Sequence, residues 1–99
     1  MQQYFTFMQD GRKYDIRDLT EGFVIEGDLD LSNMNLTKLP DLSKVIINGN
    51  FNCANNNLAS LKGAPKEVRI NFYCLSDKTQ FTEEDVKKVC NVNKKIYTE

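Results

Sequence analysis

Between residues 27 and 62 the chain states one pattern twice. GDLDLSNMNLTKLP (27–40) and GNFNCANNNLASLK (49–62) align without a gap, which puts Gly27 on Gly49, Leu29 on Phe51, Leu31 on Cys53, Asn33 on Asn55, Leu36 on Leu58 and Leu39 on Leu61. Within each copy the apolar positions run i, i+2, i+7, i+10. That spacing is neither the 3.6-residue period of a helix nor the alternation of a plain strand. It suits a coil: a short strand with alternate residues pointing inward, a tight polar turn, and a second inward-pointing pair. A fixed period of about 20 to 29 residues with such internal spacing is the signature of a solenoid, and about three stacked units are needed to bury a common core.

The two copies resemble leucine-rich repeats of the short bacterial kind that ends in a Leu-Pro pair. Against the pattern L-x-L-x-x-N-x-L-x-x-L-P the first copy reads Leu29, Leu31, Met34, Leu36, Leu39, Pro40, with Met34 in the asparagine position. The second reads Phe51, Cys53, Asn56, Leu58, Leu61; it keeps the asparagine and has Lys62 for the proline. A third, VRINFYCLSDKTQFT, repeats the strand with Phe72 and Cys74 and then departs, because Asp77, Thr79 and Thr82 take the later core positions. The resemblance covers about residues 24 to 82. GAPKEVRINFYC is also similar, more loosely, to repeats common in phage and mobile-element proteins of bacteria.

The flanks read as closures for the two ends. In QYFTFMQDGRKYDIRDL, Tyr4, Thr6 and Met8 alternate with Phe5, Phe7 and Gln9, Asp10-Gly11 supplies a hairpin turn, and Lys13 to Arg17 form the return strand. In TEEDVKKVC, Thr82 is the expected N-cap, Asp85 its reciprocal partner, and Glu83 and Glu84 stand where a helix start favours negative charge. Val86, Val89 and Cys90 would form the buried face, Phe81 would pack back on Val86 or its neighbours, and NVNKKIYTE could add a last short strand. The expected fold is therefore α+β: one domain over 1–99, with a hairpin cap (1–23), a leucine-rich-repeat-like solenoid of about three β units (24–81), and a C-terminal helix and tail (82–99).

Composition narrows the function classes. The net charge is −1, divided as −3 over residues 1–50 (five basic, eight acidic) and +2 over 51–99 (eight basic, six acidic), so no general electrostatic case arises for nucleic acid or membrane. Neither a signal-peptide pattern nor a long apolar run is present, which points to the cytoplasm, in this reading that of a bacterial host. Three cysteines and no histidine do not supply a four-ligand zinc set or an even disulfide framework; Cys53 and Cys74 instead fall on the same inward position of successive repeats. No histidine base, nucleophile elbow or phosphate loop appears, so neither catalysis nor a cofactor is expected.

If Leu29, Leu31, Phe51, Cys53, Phe72 and Cys74 point inward, the residues between them form an outer face: Asp28, Asp30 and Ser32, then Asn50, Asn52 and Ala54, then Asn71, Tyr73 and Leu75. The leucine-rich-repeat resemblance implies that this face binds a protein partner. Asp28, Asp30, Asn50, Asn52, Asn71, Tyr73 and Leu75 are the candidate contacts, with Tyr73 beside Leu75 as the anchor. The asparagines of NNN (55–57) are expected to serve the turn, where their amides satisfy backbone groups and tolerate left-handed conformations. A chain of this length leaves no room for an effector domain, so binding is the expected activity, most concretely that of a monomeric phage or mobile-element inhibitor of a bacterial defence or host enzyme. The alternatives are a self-associating structural accessory and a nucleic-acid binder using the C-terminal lysines.

Overall fold

The alignment of the two copies becomes physical register. In the computed structural model, which describes residues 6–75 and 81–98, β4 (Leu29–Asp30) pairs in parallel with β6 (Phe51–Asn52), Leu29 opposite Phe51. β6 pairs likewise with β8 (Phe72–Tyr73), and β8 with β10 (Ile96–Tyr97). A second parallel ladder runs through β3 (Val24–Ile25), β5 (Ile46–Ile47), β7 (Glu67–Val68) and β9 (Asn91–Val92). Four rungs joined by three long connections make a small β-solenoid of about three turns. The register pairs Val24↔Ile46, Ile46↔Glu67 and Glu67↔Asn91 show that the coils differ in length, the second being the shortest and the third the longest. Tyr4 and Phe5 of the expected hairpin, and Asp77 and Thr79 of the third repeat, lie outside the described residues.

Each ladder sends one row of side chains inward. Ile25, Ile47 and Val68 come from one sheet, Leu29, Phe51 and Phe72 from the other, and all are buried. Phe51 and Phe72, with no exposure, meet edge to face at 5.2 Å between ring centroids. The connections after β4 and β6 fold Leu36, Leu39 and Leu42, then Leu58, Leu61 and Ala64, over the open side of this core. Strands this short are not stable alone, so cross-rung backbone bonds carry the regularity. Among them are Leu29 N–H to Asn50 C=O at 2.9 Å, Leu31 N–H to Asn52 C=O at 2.7 Å and Phe51 N–H to Asn71 C=O at 2.9 Å.

The two aligned glycines are there for different reasons. Gly27 has φ +117°, a region that L side chains rarely adopt. Gly49 has no such torsion, but a Cβ there would lie 2.5 Å from the Gly27 carbonyl oxygen, so the second coil can stack on the first only without a side chain.

At the start of the chain β1 (Thr6–Gln9) and β2 (Arg12–Asp15) form the expected antiparallel hairpin, turning through Asp10 (φ 52°) and Gly11 (φ 76°) as a tight loop with both torsions positive requires. Phe7, Tyr14 and Phe23 form an aromatic cluster beneath it, with Tyr14 and Phe23 5.0 Å apart. Gln9 joins hairpin to solenoid: its Nε2 donates to the Val24 carbonyl at 3.1 Å and its Oε1 accepts the Glu26 N–H at 2.8 Å. A side-chain amide thus satisfies two main-chain groups along β3, the edge strand of its sheet, as a neighbouring strand would.

Four expectations need correction. The return strand ends at Asp15, and Ile16–Asp18 form a 3-10 turn that buries Ile16 in the core, instead of a strand continuing to Arg17. The spacing of the repeats shows one ladder, whereas there are two, because a pair such as Val24–Ile25 is too short for a visible alternation. The tail supplies two strands, β9 and β10, and so a complete fourth rung in place of a single last strand. Finally, helix α1 (Glu83–Lys87) buries Val86 and the following Cys90 but leaves Val89 40% exposed. The helix is too short for all three side chains to share one buried face.

Its start does follow expectation: Asp85 N–H donates to Thr82 Oγ1 at 3.2 Å, and Thr82 N–H donates to Asp85 Oδ2 at 2.9 Å. Phe81 packs against the edge of the core.

Candidate functional site

The outward face of the β4–β6–β8–β10 sheet carries one side chain per rung. In register these are Asp30, Asn52, Tyr73 and Tyr97. With parallel strands about 4.8 Å apart, the row is roughly 14 Å long. It runs from a carboxylate through an amide to two phenols. Tyr73 and Tyr97 lie parallel, ring centroids 4.8 Å apart and planes within 6°. Both are half-buried.

The row is held in place from below. Asp30 Oδ1 accepts the Ser32 N–H at 2.9 Å and the Ser32 hydroxyl at 2.6 Å. Those two bonds, the hydroxyl foremost, keep the Asp30 carboxyl below the usual carboxylate range, so the acidic end stays charged. Asn52 Oδ1 accepts the Ala54 N–H at 2.9 Å in the same kind of local turn. Tyr73 is tethered through its hydroxyl, which accepts from Asn71 Nδ2 at 3.2 Å.

Three of the candidate contacts stand elsewhere. Asp28, Asn50 and Asn71 form a second row at the turn between the two sheets. Asp28 Oδ1 accepts the Asn50 N–H (2.7 Å), Asn50 Oδ1 the Asn71 N–H (3.0 Å), and Asn71 Oδ1 the Lys95 N–H (3.1 Å). Each oxygen therefore ties its rung to the next, and what these residues can offer a partner is limited to the remaining atoms. Leu75 is half-buried just past β8, with its carbonyl accepting the Asn55 N–H at 2.7 Å. Ala54, expected outside, is buried in the core, because the chain leaves the strand direction after Cys53.

Tyr97 is absent from the row that the sequence suggests. Its signal is the pair Ile96-Tyr97, which repeats the apolar-tyrosine pair Phe72-Tyr73, but the lengthened third coil puts it out of step with the earlier copies and no glycine marks the register there.

The asparagine triplet divides its work. Asn55 takes a left-handed torsion, φ 57°. Asn56 is 2% exposed; its Oδ1 accepts the Met34 and Leu36 N–H groups, each at 3.0 Å, and its Nδ2 donates to the Leu31, Cys53 and Ala54 carbonyls at 2.9, 3.1 and 3.3 Å. The side chain reaches back into the preceding coil. Met34 occupies the aligned position of the first coil, which has no coil before it, so an amide there would lack the counterparts of the three bonds that Asn56 makes to the preceding coil.

The molecule measures 36 × 33 × 18 Å. Cys53, Cys74 and Cys90 are free thiols buried in the core; burial pushes Cys74 up to about 11 and Cys90 up to about 12, and Cys53 higher still. Among the described residues no cluster of three or more cysteines and carboxylates is placed to hold a metal, and no helix is long and apolar enough to cross a membrane.

No protein-family model matches the chain, and no curated protein or solved structure was found to be similar to it.

Proposed function

We propose that this chain is a small protein-binding module that acts by occupying a partner's surface with the outward face of the β4–β6–β8–β10 sheet. The observation that carries the reading is the stacked Tyr73–Tyr97 pair, tethered through Asn71, at one end of a row that begins with a charged Asp30. Tyrosines held rigid before binding give contact area with little loss of conformational freedom, and such residues dominate the energetics of many interfaces. Asn52 between them adds an amide for hydrogen bonding. In this reading the coil is a leucine-rich-repeat variant, and the hairpin and α1 cover the ends of its core.

The most concrete form is an inhibitor, borne by a phage or mobile element, that blocks a bacterial defence or host enzyme in the cytoplasm. The looser likeness of GAPKEVRINFYC to phage repeats supports that form.

Tagged wild type and a Tyr73→Ala/Asp30→Arg double variant, taken side by side through bacterial lysate and read by mass spectrometry, test the reading. A protein retained by wild type and lost by the variant is expected, with the variant's circular dichroism unchanged. Equal affinity of the two for the retained protein would sink the strand-face assignment.

A further inference from the structure

A solenoid ends in strand edges, and the direction of the peptide groups along them limits what can join there. At the last rung the Lys95 and Tyr97 carbonyls accept the Phe72 and Cys74 N–H groups, each at 2.9 Å. The C=O and N–H of one trans peptide point opposite ways and successive carbonyls of a strand alternate, so the N–H and C=O of Ile96 both face away from β8. Among the described residues no strand lies beyond β10 to meet them. At the first rung Leu29 and Leu31 donate to the Asn50 and Asn52 carbonyls, so on β4 it is Asp30 that turns both groups outward. The edge of β3 is different, because Gln9 closes it through the Val24 carbonyl and the Glu26 N–H.

These directions favour one arrangement of two copies. Head-to-tail stacking would continue β10 onto β4, but β9 and β10 share a rung, so it would also bring β9 to the place beside β3 that Gln9 already takes. Antiparallel pairing of β4 with a second β4, centred on Asp30, would set two carboxylates directly opposite each other, where like charges are destabilising. Pairing through β9, centred on Val92, would set Asn91 against Asn93, whose amide already donates to Glu67.

Pairing of β10 with a second β10, about a two-fold axis at Ile96, meets none of these obstacles. Ile96 exchanges both main-chain bonds with Ile96 of the second copy, and its half-buried side chain, packed at the edge of the core, gains an apolar neighbour. The same register sets Lys95 opposite Tyr97 of the second copy, twice over. Tyr97 has one face stacked on Tyr73, so its other face looks over the open edge. Lys95 is exposed, and among the described residues it is in no salt bridge. Its ammonium over that ring makes a cation–π contact.

We infer that the chain forms a two-fold dimer through antiparallel pairing of β10. Four strands from each copy become one continuous sheet, with the tyrosines of both copies at its centre and an Asp30 at either end. A two-fold contact is closed, so no filament follows from it. The inference stands on the geometry of the edges and not on the function proposed for the row, and it puts a dimer where the sequence suggests a monomer.

Sedimentation of the full chain over a concentration series reaching about 1 mM should show a reversible passage from one copy to two. In a dimer assembled from isotope-labelled and unlabelled chains, filtered nuclear Overhauser effects should join Lys95 of one chain to the Tyr97 ring of the other. Ile96→Pro removes an outward N–H and leaves the bonds to β8 in place, so it should give a folded monomer. Lys95→Glu, a change at an exposed side chain, should raise the dimer Kd roughly tenfold through the loss of two symmetric contacts. Asp30→Arg, at the far edge of the sheet, should leave that Kd unchanged. The proposal is overturned by a chain that stays monomeric throughout the series, by intermolecular effects centred on β9, β4 or the hairpin, or by a folded Ile96→Pro variant that still dimerises. An unchanged Kd for Lys95→Glu, or loss of the dimer in Asp30→Arg, overturns it equally.

Discussion

Replacing Asn56 by alanine should be among the most damaging single changes available in this chain outside its aromatic core. The side chain is 2% exposed and makes five hydrogen bonds to main-chain groups, three of them in the preceding coil. Alanine leaves the buried Leu36 N–H and the half-buried Met34 N–H without the acceptor they share, and it removes the donor from the Leu31 carbonyl. At about 1–3 kcal/mol for each buried group left unsatisfied, and less for one that water can reach, the loss comes to about 2–5 kcal/mol. A domain of this size has only about 5–15 kcal/mol in total. With a urea slope of about 1.5 kcal/mol per molar, the unfolding midpoint should fall by about 1.5–3 M. Urea titration followed by far-ultraviolet circular dichroism reads this directly.

Two controls separate the hub from its neighbours. Asn57→Ala removes a side chain that carries none of those bonds, and Met34→Asn puts an amide at the aligned position of the first coil, where no preceding coil exists; each should stay within about 0.5 kcal/mol of wild type. A fall for Asn56→Ala no larger than that of Asn57→Ala would refute the reasoning, because it would mean the amide is not what joins the first two coils.

Gly49→Ala would place a Cβ 2.5 Å from the Gly27 carbonyl oxygen and force the second coil off the first. Calorimetry should show a fall of about 5–15 °C in Tm for a cost of about 1–3 kcal/mol, and an unchanged Tm would mean that the coils are not so closely stacked. The three thiols should resist Ellman's reagent at pH 8 in the native state, since burial raises Cys74 to about 11 and Cys90 to about 12 and moves Cys53 the same way, and all three should react promptly in urea. Rapid labelling of native protein would place a cysteine outside the core.

How far the sequence can be read varies along the chain according to how local the cause is. The register of the first two coils, the hairpin turn at Asp10-Gly11 and the capping box of Thr82 and Asp85 are each fixed by a few adjacent residues, and all three appear where the sequence places them. Cys53 and Cys74 stack inward because the same alternation that sets Phe51 over Phe72 sets one cysteine over the other. For the candidate surface, Asp30, Asn52 and Tyr73 were legible as outward positions of a strand. What alternation could not tell was that Asp28, Asn50 and Asn71 already commit their oxygens to the next rung, since that depends on where the following coil's N–H group comes to lie.

By itself, then, the sequence determined the repeat, its inward row and the chemistry of its turns, because these depend on steric preferences and on spacing within one coil. Only the tertiary structure decided that a second ladder exists, that Gln9 completes the edge of β3, that Tyr97 joins Tyr73, and that Val89 stays exposed. Each of those depends on which coil lies above which and at what step. The steps from Val24 to Ile46, from Ile46 to Glu67 and from Glu67 to Asn91 are unequal, so the last rung can be placed only once the coils are stacked.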